Sequence, residues 1–209
     1  MVVRYVFLIV FLSLPCALWG QLVDTIEYYP GSQLRGKGKI QQHAKVGAWQ
    51  YYYPDGKISA IENYSSGRLS GEVIYFYPDE KIQGKELWKN GLLNDSASYY
   101  HSNGKLEKRG IYHQGQYEGL WRFYFDNGKL SRAVSYQNGL PEGPTETFSE
   151  DGIRWQEGAY HEGLEVSDWN FFDREGRIQY SGSYQNGKRV GVWYQYDRKG
   201  NKKVWKYKN

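Results

Sequence analysis

Cysteine is nearly absent from the 209 residues: the single one, Cys16, falls in an apolar segment near the N-terminus. Downstream of that segment the chain has no thiolate nucleophile, no disulfide and no cysteine metal ligand. Proline is scarce, at 6 residues, and no stretch beyond residue 20 carries the apolar 3.6-residue stripe with capping residues that marks a helix. Charge of one sign is not concentrated anywhere either. With Arg4 set aside, basic residues exceed acidic ones by three (27 Lys and Arg against 23 Asp and Glu in the whole chain) and form no block. That dispersion points to no nucleic-acid partner and to no attraction toward an anionic membrane surface.

Residues 1–20 have the layout of a secretory signal peptide. Arg4 precedes an almost wholly apolar run from Tyr5 to Leu14, followed by Pro15, Cys16 and small or turn-forming residues. The uncharged run is about 14 residues with a proline in it, against roughly 20 needed to cross a bilayer. An exported protein (periplasm, cell surface or secreted) with a mature start near Gln21 is expected. A membrane link is expected only through an uncleaved signal or through lipidation of Cys16, which Ser13-Leu14-Pro15 suit poorly.

What the chain has in quantity is aromatic residues and glycine: 21 Tyr, 8 Trp, 8 Phe and 25 Gly. They recur with a fixed period of 24. Blocks beginning at Gly47, Gly71, Asp95, Gly119, Gly143, Ser167 and Gly191 align without a gap. Their sixth position is always a ring (Tyr52, Phe76, Tyr100, Tyr124, Phe148, Phe172, Tyr196). Their tenth is Gly56, Glu80, Gly104, Gly128, Gly152, Gly176 and Gly200. In the complete blocks the eighteenth is Tyr or Trp, and the twenty-first is glycine from Gly67 to Gly187. A worn copy fits the register from Val23, with Tyr28-Tyr29-Pro30 standing where Tyr52-Tyr53-Pro54 stand.

Each block reads as two strands and two turns. Aromatic runs such as Trp49-Gln50-Tyr51-Tyr52-Tyr53 are of strand length and stop at Pro54-Asp55-Gly56, Ser102-Asn103-Gly104 or Asp126-Asn127-Gly128. A second run, typified by Lys129 to Tyr136, ends at Asn138-Gly139. Asn-Gly and Asp-Gly tolerate the positive φ of two-residue hairpin turns, so all these turns are expected to be of that kind. The fold class is therefore all-β: an elongated antiparallel β-meander of 24-residue hairpins in one twisted or curled sheet, growing by about 4.8 Å per strand. A closed β-solenoid coil is the rival architecture. The divisions are residues 1–20, signal; 21–46, degenerate N-terminal capping repeat; and 47–209, six full repeats plus a partial one.

Asn186-Gly187-Lys188-Arg189-Val190-Gly191-Val192-Trp193 and the Y-x-x-G-x-x-x-G-x-W run from Tyr112 to Trp121 resemble the MORN repeat in its bacterial variant. The resemblance covers about Gly47 to Trp205. Similar bacterial proteins belong to the YwqK-type antitoxin-like family, and eukaryotic MORN proteins act as scaffolds or membrane-associated modules. Block three departs from the pattern at Asp95 and Ala97, and block five at Pro144 and Thr145, where bends in the array are expected.

No catalytic, cofactor-binding or metal-ligating residue is expected. His113 and His161 stand two blocks apart, about 19 Å in a regular sheet and too far to share a metal; these two, with His43 and His101, read as exposed or turn-flanking. Asp55, Asp79, Asp151 and Glu175 recur at turns, where turn chemistry explains them better than paired catalytic carboxylates. Gly36-Lys37-Gly38-Lys39 lacks the spacing of a phosphate loop.

Side-chain alternation puts the third and fifth positions on one face and the sixth on the other. The invariant sixth and eighteenth columns read as structural core. The opposite face, with Trp49, Tyr51, Tyr75, Trp121, Phe123, Trp169, Phe171 and Trp193, varies and is the candidate binding face, packing within a curled sheet being the alternative for the same rings. The expected function is a non-catalytic exported module that binds or scaffolds another protein. Carbohydrate or cell-wall binding through an aromatic ladder is the alternative, and lipid-headgroup binding or an antitoxin-like neutralising role is a lesser one.

Overall fold

The computed structural model describes residues 20–206; the leader segment with Cys16, and residues 207–209, lie outside the described residues. Seventeen strands form one antiparallel sheet, and none of the described residues is helical. The long strand of each repeat is Ala44–Tyr52 (β3), Leu92–Tyr100 (β8), Gln116–Tyr124 (β10), Leu140–Phe148 (β12), Leu164–Phe172 (β14) or Lys188–Tyr196 (β16). In one repeat Ser70 interrupts it into Arg68–Leu69 (β5) and Gly71–Phe76 (β6). The returning strands are Leu34–Gln41 (β2), Ile58–Ser65 (β4), Ile82–Lys89 (β7), Leu106–His113 (β9), Leu130–Gln137 (β11), Arg154–His161 (β13) and Ile178–Gln185 (β15). Val23–Tyr28 (β1) and Lys202–Val204 (β17) flank them.

Every registered pairing is antiparallel, and from β1 with β2 to β16 with β17 each joins sequence neighbours, β4 pairing with both halves, β5 and β6, of the interrupted strand. A solenoid coil would stack its strands in parallel, so the meander is the architecture. β1 and β2 take up the same arrangement as later repeats, with Val23 opposite Ile40 and Glu27 opposite Gly36. The pairing continues through Asp95 and Thr145 with the bulges that other repeats also have. Position one sits at positive φ whatever its residue: Gly47 65°, Asp95 86°, Ser167 60°. Asp95 is suited to this because its own Oδ1 accepts the Ser96 N–H at 2.6 Å.

The two turns of a repeat differ. Asn90-Gly91, Asn138-Gly139 and Asn186-Gly187 place both residues at positive φ, as a two-residue type I′ turn requires. The other turn is a three-residue loop instead. At Pro54-Asp55-Gly56 only the glycine is left-handed (φ 87°), and Gly56 N donates to the Tyr53 carbonyl at 2.9 Å. Asp55 Oδ1 accepts the Lys57 N–H at 3.1 Å, which holds the loop closed from inside. Asp79 does the same for Lys81 N, and its bonded Lys81 ammonium holds the carboxyl below the usual range, whereas the Glu175 carboxylate pairs with Arg177.

Successive repeats are tied by a second set of bonds running along the sheet. The phenol of Tyr53 donates to the Phe76 carbonyl at 2.6 Å, Tyr77 does so to Tyr100 at 2.6 Å, and Tyr29 to Tyr52 at 2.8 Å. His101 takes the next place in this column, its Nε2 donating to the Tyr124 carbonyl at 2.9 Å. Lys57, Lys81, Lys105 and Lys129 likewise reach turn carbonyls one repeat on. Replacing Tyr77 by Phe is expected to cost about 1 kcal/mol, read as a lowered urea midpoint, with no change in β-sheet circular dichroism. His161 lies elsewhere, its Nδ1 3.0 Å from Glu142 Oε1. That carboxylate raises the imidazole pKa above its usual value, and Glu142→Gln is expected to bring the His161 titration back down in an NMR pH series.

Candidate functional site

The third column is where the sheet buries its largest side chains. Trp49, Trp121, Trp169 and Trp193 are at most 2% exposed, and Val73, Ala97 and Thr145 fill the same column. Three of the indole N–H groups find carbonyls on the preceding strand: Lys39 at 3.0 Å, Ile111 at 2.9 Å and Ser183 at 3.3 Å; Trp169 uses Val166 at 3.1 Å. Each indole lies flat against a glycine eleven residues earlier. A Cβ on Gly38, Gly110, Gly158 or Gly182 would come within 2.2 to 2.4 Å of ring atoms. Where the third position is small, the facing residue is large instead: Glu62 precedes Val73, Glu86 is opposite Ala97, and Val134 is opposite Thr145. A smaller residue at the third position is thus accompanied by a larger one eleven residues earlier.

This corrects the expected binding face. Trp49, Trp121, Trp169 and Trp193 are core, because their rings are sealed between a glycine and the neighbouring rings, so they present no surface to a ligand. Tyr51, Tyr75, Phe123 and Phe171 remain half-buried on the same face, and Tyr99, which sequence reasoning left out, continues their row. The always-aromatic sixth column is only half-buried, not the closed core that its invariance suggested.

Much of this row is covered by the protein's own cations. The Lys45 ammonium lies 4.1 Å from the Trp49 ring centroid and 5.0 Å from Tyr51. Lys108 sits 4.5 Å over Tyr99, Arg132 4.3 Å over Phe123 and Arg189 4.7 Å over Trp193. Within the row the rings pack on one another, with Tyr117 stacked on Trp121 at 4.0 Å and Tyr112 edge-on to it at 4.9 Å. Such pairs add about 0.5–1.5 kcal/mol each beyond burial.

One segment is different in chemistry. Glu86 is 7% exposed and accepts from Tyr99 OH at 2.5 Å and Trp88 Nε1 at 2.9 Å. Glu62 accepts from Tyr64 OH at 2.5 Å. Burial first, and then the neighbouring carboxylates, push the Tyr64, Tyr75 and Tyr99 phenols well above the usual value. Tyr112, bonded to Tyr99, is pushed up to about 12, again by burial first. Neither glutamate forms an ion pair among the described residues. Sequence reasoning missed both, since a lone Glu in a strand carries no motif. The available signal was the place each occupies, where four other repeats have glycine.

The opposite side carries a groove of about 730 Å³ beside the turns of the last repeats, lined by Arg154, Trp155, Phe172, Arg177, Ile178 and Tyr196 among others. Trp155 is 62% exposed there, and the arginines are tied to acidic neighbours, Arg154 to Glu146 and Glu157 and Arg177 to Asp173 and Glu175. Among the described residues no cluster of His, Cys, Asp and Glu is placed to hold a metal.

No protein among the curated sequences compared matches the chain. Among solved structures, the Tc holotoxin pore of Photorhabdus luminescens is similar at 13% identity and TM-score 0.19, over 84% of this chain and 13% of that one. The TcdB2-TccC3-Cdc42 structure is similar at 12% identity and TM-score 0.20, over 84% and 13%. This chain therefore spans only a small part of those proteins. A porin-like protein from Bacteroides uniformis gives 8% identity and TM-score 0.20, over 91% and 96%. Scores this low carry nothing about partner or activity. The family comparison is more specific: residues 45–66, 69–90 and 117–138 match the MORN repeat variant, and the open all-β meander is consistent with such repeats, which are generally protein- or membrane-binding modules.

Proposed function

We propose that the chain is an exported, non-catalytic module that holds another protein against the ring face of its sheet. The observation carrying this reading is the row of half-buried rings, Tyr51, Tyr75, Tyr99, Phe123 and Phe171, set on the 24-residue period with Thr147 in the one gap and charged groups between them. Partly exposed aromatics beside charges are the composition of protein-binding surfaces, and a repeat array supplies extended area. Export rests on the Arg4 and apolar-run layout of the first twenty residues.

Sugar binding is the second reading, because Tyr and Trp rings offer stacking faces. It has less support: the tryptophans are buried, and Lys45, Lys108 and Arg132 already cover rings that a sugar would stack on. Lipid-headgroup binding and an antitoxin-like role come behind both, the first for want of a basic cluster. Affinity capture with the mature chain from its native envelope fraction is the test. One enriched protein, lost with Phe123→Ala and Tyr75→Ala, is the expected result. Glycan-array binding lost with the same changes, and no protein captured, would replace this reading with the sugar one.

A further inference from the structure

The ring face carries its own cations over several of its rings, whereas no cation lies over Tyr75, between Glu62 and Glu86, among the described residues. Lys45, at the twenty-third position of its block, reaches over Trp49, Tyr51 and Tyr64 and donates to Tyr51 OH at 2.6 Å. Arg189, at the same position six blocks on, lies over Trp193 and Trp205 at 4.7 and 4.9 Å. In the segment between, that position is Leu69, paired with Tyr64, and then Leu93, paired with Trp88. The fourteenth position, which supplies Lys108 and Arg132 further along, is there Ala60 and Gly84, both facing Tyr75. Lys45 still lies 5.6 Å from the Tyr64 ring and Lys108 4.5 Å from Tyr99, so the ring of this segment left without a cation is Tyr75.

Two carboxylates stand where the cations are missing. Glu86 is more than nine-tenths buried with only neutral donors, Tyr99 and Trp88, bonded to it. Burying a carboxylate without a counter-charge costs several kcal/mol, and the equivalent position elsewhere is occupied by Gly or Val at no such cost. Tyr75, between Ala60 and Gly84, is left half-exposed with both carboxylates acting on its phenol. An aromatic face combined with anionic acceptors is the arrangement that binds an ammonium or guanidinium group.

We infer that Tyr75, with Glu62 and Glu86 beside it, is a receptor for a lysine or arginine side chain presented by the partner protein. The incoming cation completes the stack that Lys45 and Arg189 make internally. The inference rests on the protein-binding reading only for what carries the cation.

The test titrates the full-length chain with a short arginine peptide and with the same peptide carrying neutral citrulline, followed by NMR shifts of Tyr75, Leu69 and Ala97. The arginine peptide is expected to bind about tenfold or more tightly than the citrulline one. Leu69→Lys places an internal ammonium where Lys45 stands in the preceding repeat; it is expected to weaken arginine binding about tenfold without lowering the urea midpoint, whereas Leu69→Met retains binding. Glu62→Gln with Glu86→Gln is expected to weaken it likewise, and Leu69→Lys decides the matter should that pair fail to fold. Equal binding of both peptides, or undiminished binding by folded Leu69→Lys, overturns the inference. If envelope capture of a partner survives Leu69→Lys unchanged, this receptor falls while the protein-binding reading stands. If arginine binding holds but no partner protein is captured, the reverse applies.

Discussion

Gly110→Val is expected to cost about 3 kcal/mol, and adding Trp121→Thr is expected to return much of that loss. A Cβ on Gly110 would lie 2.3 Å from the Trp121 indole, which is itself sealed by Tyr112 and Tyr117 and has nowhere to go. Trp121→Thr alone should cost about 3–5 kcal/mol, through lost burial and the void left behind. Together the two changes reproduce the Val134 and Thr145 pair that the next repeat uses. Urea unfolding of the four chains should give a coupling of about 2 kcal/mol or more in favour of the double variant. Simple additivity of the two losses would mean that the ring and the glycine do not share one space.

Trp169→Ala should destabilise by about 3–5 kcal/mol, whereas Trp155→Ala should change stability by no more than about 0.5 kcal/mol. Both are tryptophans in neighbouring strands, and burial separates them: Trp169 is 2% exposed and packs against Tyr160, Phe171 and Tyr184, while Trp155 is 62% exposed. Thermal melts and urea midpoints read the difference. Comparable losses for the two would put Trp169 outside the core and return it to the surface that the composition alone suggested.

Much of this architecture was legible because turns and periods are local. Asn138-Gly139 has to be a tight turn, since both residues can adopt positive φ, and the recurrence of its glycine every 24 residues fixes strand length and antiparallel pairing. The loop at Asp55 was read as the same turn because Asp-Gly allows it; the aspartate instead folds back on Lys57 N and needs no positive φ.

The faces were harder, because burial in a sheet belongs to pairs of residues on adjoining strands. Column six never varies, yet it is half-buried. Column three ranges from Trp to Ala and is the best buried of all. Its variation is compensated eleven residues upstream, with Gly38, Gly110, Gly158 and Gly182 before the four tryptophans and Glu62, Glu86 and Val134 before the smaller residues. A column viewed alone hides that compensation. Glu86 was invisible for a related reason: its interest lies in Tyr99 and Trp88 closing around it with no ion pair among the described residues, which only the assembled strands reveal.

Native-state hydrogen exchange on the full-length chain tests most directly whether each repeat is held by its neighbours. Amides of β8 to β12, with repeats packed on both sides, should be the slowest to exchange, and protection should fall away gradually toward β1 and β17. An abrupt step at any one repeat, or a terminal hairpin as protected as the middle of the sheet, would contradict that interdependence.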